Sequence, residues 1–123
     1  MAWVLYNDRP IYAQIVERIQ MQIISGMYKP GDKLPSVREL AMEAGVNPNT
    51  MQKAFGELER KELIVTIRTS GRMVTEDVAM IEKVKNQFAK EQIKEFLQKM
   101  RELGFETEET IRLLKSINEE EES

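Results

Sequence analysis

The chain has 123 residues, 41% of them hydrophobic and 32% charged, which suits one compact domain with an appendage. It contains neither cysteine nor histidine, which excludes disulfides, zinc fingers, thiol catalysis and imidazole acid–base chemistry. The net charge of −3 is unevenly placed. Residues 1–76 hold ten Lys/Arg against nine Asp/Glu, whereas 77–123 hold eight against twelve, so an anionic partner must be met by a local basic face.

No apolar run reaches the roughly 18 residues of a membrane span. The opening MAWVLYNDRP has neither the basic leader nor the apolar stretch of a signal peptide. The expectation is a cytoplasmic protein without a membrane partner. Trp3, Val4, Leu5 and Tyr6 are expected to pack on the core or on a second copy.

PIYAQIVERIQMQIISG reads as the first helix. Pro10 suits its first turn, Tyr12, Ile15, Ile19 and Ile23 recur at helical spacing, and Gly26 is placed to end it. In YKPGDKLPS, Pro30 and Gly31 fit the middle of a type II turn, and Pro35 blocks helix until Ser36. The next segment, SVRELAMEAGV, starts with a capping box of Ser36 and Glu39. Val37, Leu40, Ala41 and Ala44 form its apolar stripe, Gly45 terminates it, and Val46 returns to the core.

A third helix follows at once in NPNTMQKAFGELERK. Asn47 precedes proline and is therefore held extended, as an N-cap requires. Pro48 is then the first helical residue. Met51, Ala54, Phe55 and Leu58 follow the i, i+3, i+4, i+7 pattern of a buried stripe. Asn49, Lys53, Gly56 and Arg60 fall opposite, flanked by Thr50, Gln52 and Glu57. LIVTIRTSGRMVTE then reads as a hairpin, with strands at 63–68 and 72–75 around a tip of Thr69, Ser70 and Gly71.

Beyond Thr75 the pattern changes to a long amphipathic helix over 77–103, carrying Ile81, Val84, Phe88, Ile93, Phe96, Leu97, Met100 and Leu103. Gly104 breaks it. Thr107 is placed to cap a last helix bearing Ile111, Leu114 and Ile117, and the run Glu119 to Glu122 reads as a solvated acidic end.

Two helices joined by a tight turn at Gly45, with one helix before and a hairpin after, make a winged helix-turn-helix. The fold class is mainly α with a small β hairpin. It divides into a DNA-binding domain at 1–76 and a two-helix dimerisation tail at 77–123 with an acidic C-terminus. The duplex-facing candidates are Arg38, Asn49, Thr50, Gln52, Lys53 and Arg60, with Arg68, Ser70 and Arg72 on the hairpin. Amide and hydroxyl groups suit base edges: Asn and Gln pair with adenine, and Thr bonds or touches a thymine methyl. Lys53 and Arg60 suit phosphate or guanine. Arg38 stands in the first turn of its helix, where the dipole disfavours a cation, and a docked phosphate reverses that sign.

Blander readings apply to the same residues. Asn47 is a structural cap whether or not it touches DNA, and Lys53 and Arg60 alone would be a solvated face. The polar hairpin keeps a sheet edge soluble, and the C-terminal stripe has its own domain as an alternative to a partner helix. The segment from Gly26 to Lys33 echoes a phosphate-binding loop but fails. Asp32 takes the lysine position, no Ser/Thr follows Lys33, and a helix precedes instead of a strand. No catalytic residue, metal ligand or cofactor is expected.

The string GMYKPGDKLPSVRELAMEAGVNPNTMQKAFGELERKELI resembles the DNA-binding domain of GntR-family bacterial transcription regulators, a likeness covering roughly residues 10–75. That resemblance implies operator contact by Arg38, by residues 47–50, by Gln52 and by the wing-tip Gly71. The chain departs from the family pattern at Thr69, where glycine is usual, and at Met73, where an aromatic is usual. The short tail is similar to the YtrA-like subgroup, which implies a homodimer without a large effector domain and points to a repressor. A pseudo-palindromic double-stranded operator is the implied partner. A small-molecule effector is left open by the sequence, with room for one only between the domain and the dimer helices, but is not indicated. The competing class is a winged-helix protein-interaction module, whose mark would be an apolar or acidic third-helix face.

Overall fold

The computed structural model describes residues 2–68 and 71–122. In chain order the elements are α1 (Ile11–Ile24), α2 (Val37–Ala44), α3 (Pro48–Arg60), β1 (Ile64–Ile67), β2 (Gly71–Val74), α4 (Val78–Glu102) and α5 (Thr107–Glu122). The chain forms two compact units, 1–84 and 85–123, the boundary in sequence falling within α4.

In the first unit α3 packs against both α1 and α2. Its Met51, Ala54, Phe55 and Leu58 are all 0% exposed, so one whole side of the helix is removed from water. Ile15, Ile19 and Ile23 of α1, Leu40, Ala41 and Ala44 of α2, and Leu63, Ile64 and Val74 from the hairpin complete the core. Each buried aliphatic or aromatic side chain contributes about 1.5–3 kcal/mol, so the α3 stripe is a main determinant of the fold.

The start signals operate as the residues dictate. Glu39 N–H donates to Ser36 Oγ at 3.1 Å while Ser36 N–H donates to Glu39 Oε1 at 3.4 Å. Gly45 ends α2 in the left-handed region at φ +75°. A side chain there would also collide with Ala2, whose Cβ lies 2.9 Å from the position a Gly45 Cβ would take. Asn47 is extended and its Oδ1 accepts from Asn49 N–H at 2.8 Å. Pro10 sits one position earlier than its sequence suggests: it is the N-cap of α1, with extended ψ 134°, and not part of the first turn. Tyr12 and Val46 are half-buried where full burial was expected.

β1 and β2 pair antiparallel in the register Ile64 with Val74, Val65 with Met73, Thr66 with Arg72 and Ile67 with Gly71. β1 is shorter than the expected 63–68, and β2 keeps its expected length but begins one residue earlier, on Gly71. Gly71 has φ +86°, a conformation that costs an L-residue energy. Thr69 and Ser70, expected at the tip, lie outside the described residues. The N-terminal arm is tied down by Gln14, which is buried in α1. Its amide accepts from Tyr6 N–H at 2.8 Å and donates to the carbonyls of Tyr6 and Arg9 at 2.7 and 3.1 Å. Trp3 N–H donates to Ala44 O at 3.2 Å, and the Arg18 guanidinium lies 4.5 Å from the Trp3 ring centroid. Trp3 and Leu5 are half-buried by this arrangement, whereas Val4 and Tyr6 remain exposed.

Ile81, counted above with the dimerisation stripe, is 7% exposed and belongs to the first unit. Its apolar surface is already covered, so it leaves the stripe. In the second unit α4 ends at Glu102, and Gly104 donates to Arg101 O at 2.9 Å. Thr107 is the first residue of α5 and not its cap. The turn before it is closed by Glu106 N–H donating to Glu109 Oε1 at 3.0 Å. A glutamate three residues into the helix serves here without a serine or threonine partner at the cap.

Candidate nucleic-acid interface

With Met51, Ala54, Phe55 and Leu58 committed to the core, the other side of α3 is left outward. Asn49, Gln52, Lys53 and Arg60 are exposed, and Thr50, Gly56 and Glu57 are half-buried. Asn47 spends its side-chain oxygen on the Asn49 N–H, and its amide NH2 remains as a donor. The head of α3 thus presents short groups that both donate and accept. A Cβ added at Gly56 would meet only Arg60 Nη2 at 4.0 Å, so nothing in the chain itself requires glycine there.

The two cations of this face are held differently. Lys53 Nζ lies 3.9 Å from the Tyr12 ring centroid, a cation–π contact to α1. Arg60 pairs with Glu57 at 2.7 Å, but its side chain is 72% exposed. An ion pair that open to water stabilises little and is readily exchanged for a phosphate.

A cleft of about 430 Å³ lies between the start of α2, α3 and the hairpin, lined among others by Lys33, Ser36, Arg38, Gln52, Gly71 and Arg72. Four of the residues singled out from sequence therefore share one depression. Arg38 is exposed and has no ion pair or hydrogen bond among the described residues. Arg68 is exposed at the end of β1, and Ser70 lies outside the described residues.

Arg72 is the exception to a simple surface. It is half-buried, its Nε donates to Glu59 Oε1 at 2.8 Å, and its guanidinium lies 5.3 Å from the Phe55 ring centroid. The same Glu59 oxygen accepts from Thr66 Oγ1 at 2.9 Å. The Arg72 hydrogen bond holds the Glu59 carboxyl below the usual carboxylate range against the opposing effect of burial, and the Thr66 hydroxyl and the Arg72 charge act in the same direction. Sequence reasoning passed over Glu59 and Thr66. Their link is long-range: the hairpin register sets Thr66 opposite Arg72, and both side chains reach Glu59 on α3. Tyr12 was read only as core.

Among the described residues no three His, Cys, Asp or Glu side chains cluster to hold a metal ion. No helix is long and apolar enough to cross a membrane.

Residues 11–74 match the model of the gntR family of bacterial regulatory proteins. The HTH-type transcriptional repressor YtrA of Bacillus subtilis is 39% identical over 113 residues, covering 91% of this chain and 87% of its own. A GntR-family transcriptional regulator from Listeria monocytogenes superposes with a TM-score of 0.84 at 44% identity, over 91% of this chain and 98% of that one. The DNA-binding domain of AraR, solved in complex with operator ORX1, superposes with a TM-score of 0.57 at 31% identity over 60% of this chain and 96% of that domain. These relatives are transcriptional regulators and not enzymes. A winged helix with this α3 face, matched over more than half of the chain by one family and over nearly all of it by individual members, belongs to the gntR family of bacterial regulators.

Proposed function

We propose that the protein binds a pseudo-palindromic DNA operator as a homodimer and represses transcription from it in the cytoplasm. The observation that carries this reading is the outward side of α3, polar and largely uncharged at its head, backed by a side that is wholly buried. Asn49, Thr50 and Gln52 meet base edges in the major groove, while Arg38, Lys53, Arg60, Arg68 and the wing residues Ser70, Gly71 and Arg72 set the register on phosphates. Asn47 caps the helix and offers its amide to the backbone. The operator complex of AraR supports the mode of approach, and the repressor YtrA supports the sign of regulation.

Residues 77–123 supply the dimer contact. In the second unit Ile93, Phe96, Leu103, Leu114 and Ile117 are exposed, with Phe88, Leu97 and Met100 half-buried. Two helices presenting this much apolar surface favour a partner of like chemistry. A symmetric dimer places two α3 helices in successive major grooves, about one helical turn or a multiple apart.

In vitro selection of random duplex DNA by the purified protein tests the reading. An enriched inverted repeat is the expected outcome. Recovery of no common motif, or of a single asymmetric site, removes the sequence-reading dimer.

A further inference from the structure

We propose that Glu59 is a positioning residue for operator binding, holding the Arg72 guanidinium in the cleft that Arg72 shares with Arg38; the inference rests on the duplex-binding reading above. Glu59 lies on α3, Thr66 on β1 and Arg72 on β2. The hairpin register sets Thr66 opposite Arg72, and both side chains converge on one carboxylate oxygen, at 2.9 and 2.8 Å. Phe55, wholly buried in α3, lies beneath the guanidinium at 5.3 Å. The carboxylate ties one edge of the arginine, and the ring lies within cation–π reach of its guanidinium.

Only Nε of Arg72 is engaged in this way. Among the described residues its two terminal NH2 groups have no protein acceptor. Arg72 lines the cleft beside Ser36, Arg38, Gln52 and Gly71. A planar fork with one edge tied and the other open matches the geometry of a phosphate oxygen pair. A free surface arginine loses rotamer freedom on meeting such a group, whereas Arg72 has already lost it in folding, so binding is favoured. The carboxylate also locks the wing to the reading helix, since one oxygen ties β1, β2 and α3 together.

The test is a double-mutant cycle on the duplex selected by the wild-type protein and on a random duplex of equal length, between about 50 and 200 mM salt. Arg72→Ala is expected to weaken operator binding by about tenfold and to reduce the salt slope by about one contact. Glu59→Ala is expected to do the same, and the double variant to be no worse than either alone. Glu59→Gln keeps the acceptor oxygen and is expected to stay within about threefold of wild type. Should Glu59→Ala fail to fold, as judged by thermal melting without DNA, Glu59→Asp serves in its place. It keeps the charge but withdraws the oxygen, and is expected to cost affinity with Arg72 present and nothing with Arg72→Ala. Additive losses, or a steeper salt slope once Glu59 is replaced, overturn the positioning role. A wild-type protein that binds no duplex overturns this inference and the reading beneath it together. One that binds, with its Glu59 variants unchanged, overturns this inference alone.

Discussion

Asn49 stands exposed one position beyond Pro48, with its backbone N–H already taken by Asn47 and its side chain free to face a base. Asn49→Ala is expected to cost about 1–3 kcal/mol of operator binding and to leave random-duplex binding nearly unchanged. Equal loss on both duplexes in a gel-shift comparison would end its base-reading role. Arg38, lacking a protein partner among the described residues, is expected to act through charge alone. Arg38→Ala should lower the slope of log affinity against log salt by about 0.9, the contribution of one phosphate. Gly56 is the converse case, because its own chain leaves room for a methyl group. Gly56→Ala is expected to raise unfolding stability by about 1 kcal/mol in urea titrations. If operator affinity falls while stability rises, the glycine serves the close approach of the duplex and not the fold.

On the duplex-binding reading α3 has two roles, and the sequence separates its two sides by helical spacing. The buried stripe of Met51, Ala54, Phe55 and Leu58, the capping box of α2 and the cap at Asn47 could be read because each rests on residues within one or two turns of one another. What escaped was long-range or geometric. Glu59 looks like any solvated helix carboxylate until the hairpin register brings Thr66 and Arg72 to it. Gln14 looks like a surface amide until the arm lies across it. Thr107 was read as a cap because hydroxyl residues favour that place, but Glu109 closes the turn instead. Arg72 was placed with the duplex contacts by its charge, and the sequence held no sign of its bonds to α3.

The node joining α3 to the hairpin has a consequence for pH. The folded state holds the Glu59 carboxyl below its ordinary range, so its stabilising effect is fully present above the unfolded carboxylate range. That effect is lost as the pH falls through the folded value. Urea midpoints measured from neutral pH downward are expected to decline less steeply for Glu59→Gln than for wild type in the acid region. Parallel curves would mean that the carboxylate is not stabilised by folding.

For the whole molecule the exposed apolar side chains of the tail bear on assembly. The second unit leaves Ile93 56% and Leu103 72% exposed, and burial of each such side chain against a partner is worth about 1.5–3 kcal/mol. Light scattering is expected to give twice the 14.3 kDa chain mass for wild type, and the single-chain mass for Ile93→Asp. Operator affinity of that variant is expected to fall roughly 100-fold or more, because two half-sites no longer bind as one unit. A wild-type particle of single-chain mass at micromolar concentration would remove the symmetric reading.

Gln14 and the Trp3–Ala44 hydrogen bond give the arm a destination: Ala2 lies against Gly45, at the bend between α2 and α3. Ala2 lines one hollow with Asn47 and Thr50, so on the duplex-binding reading proposed above an affinity tag or fluorescent fusion joined ahead of the arm is expected to crowd the approaching double helix. Labels for binding assays belong on the opposite terminus, and leader peptides left over from purification should be cleaved before affinities are compared.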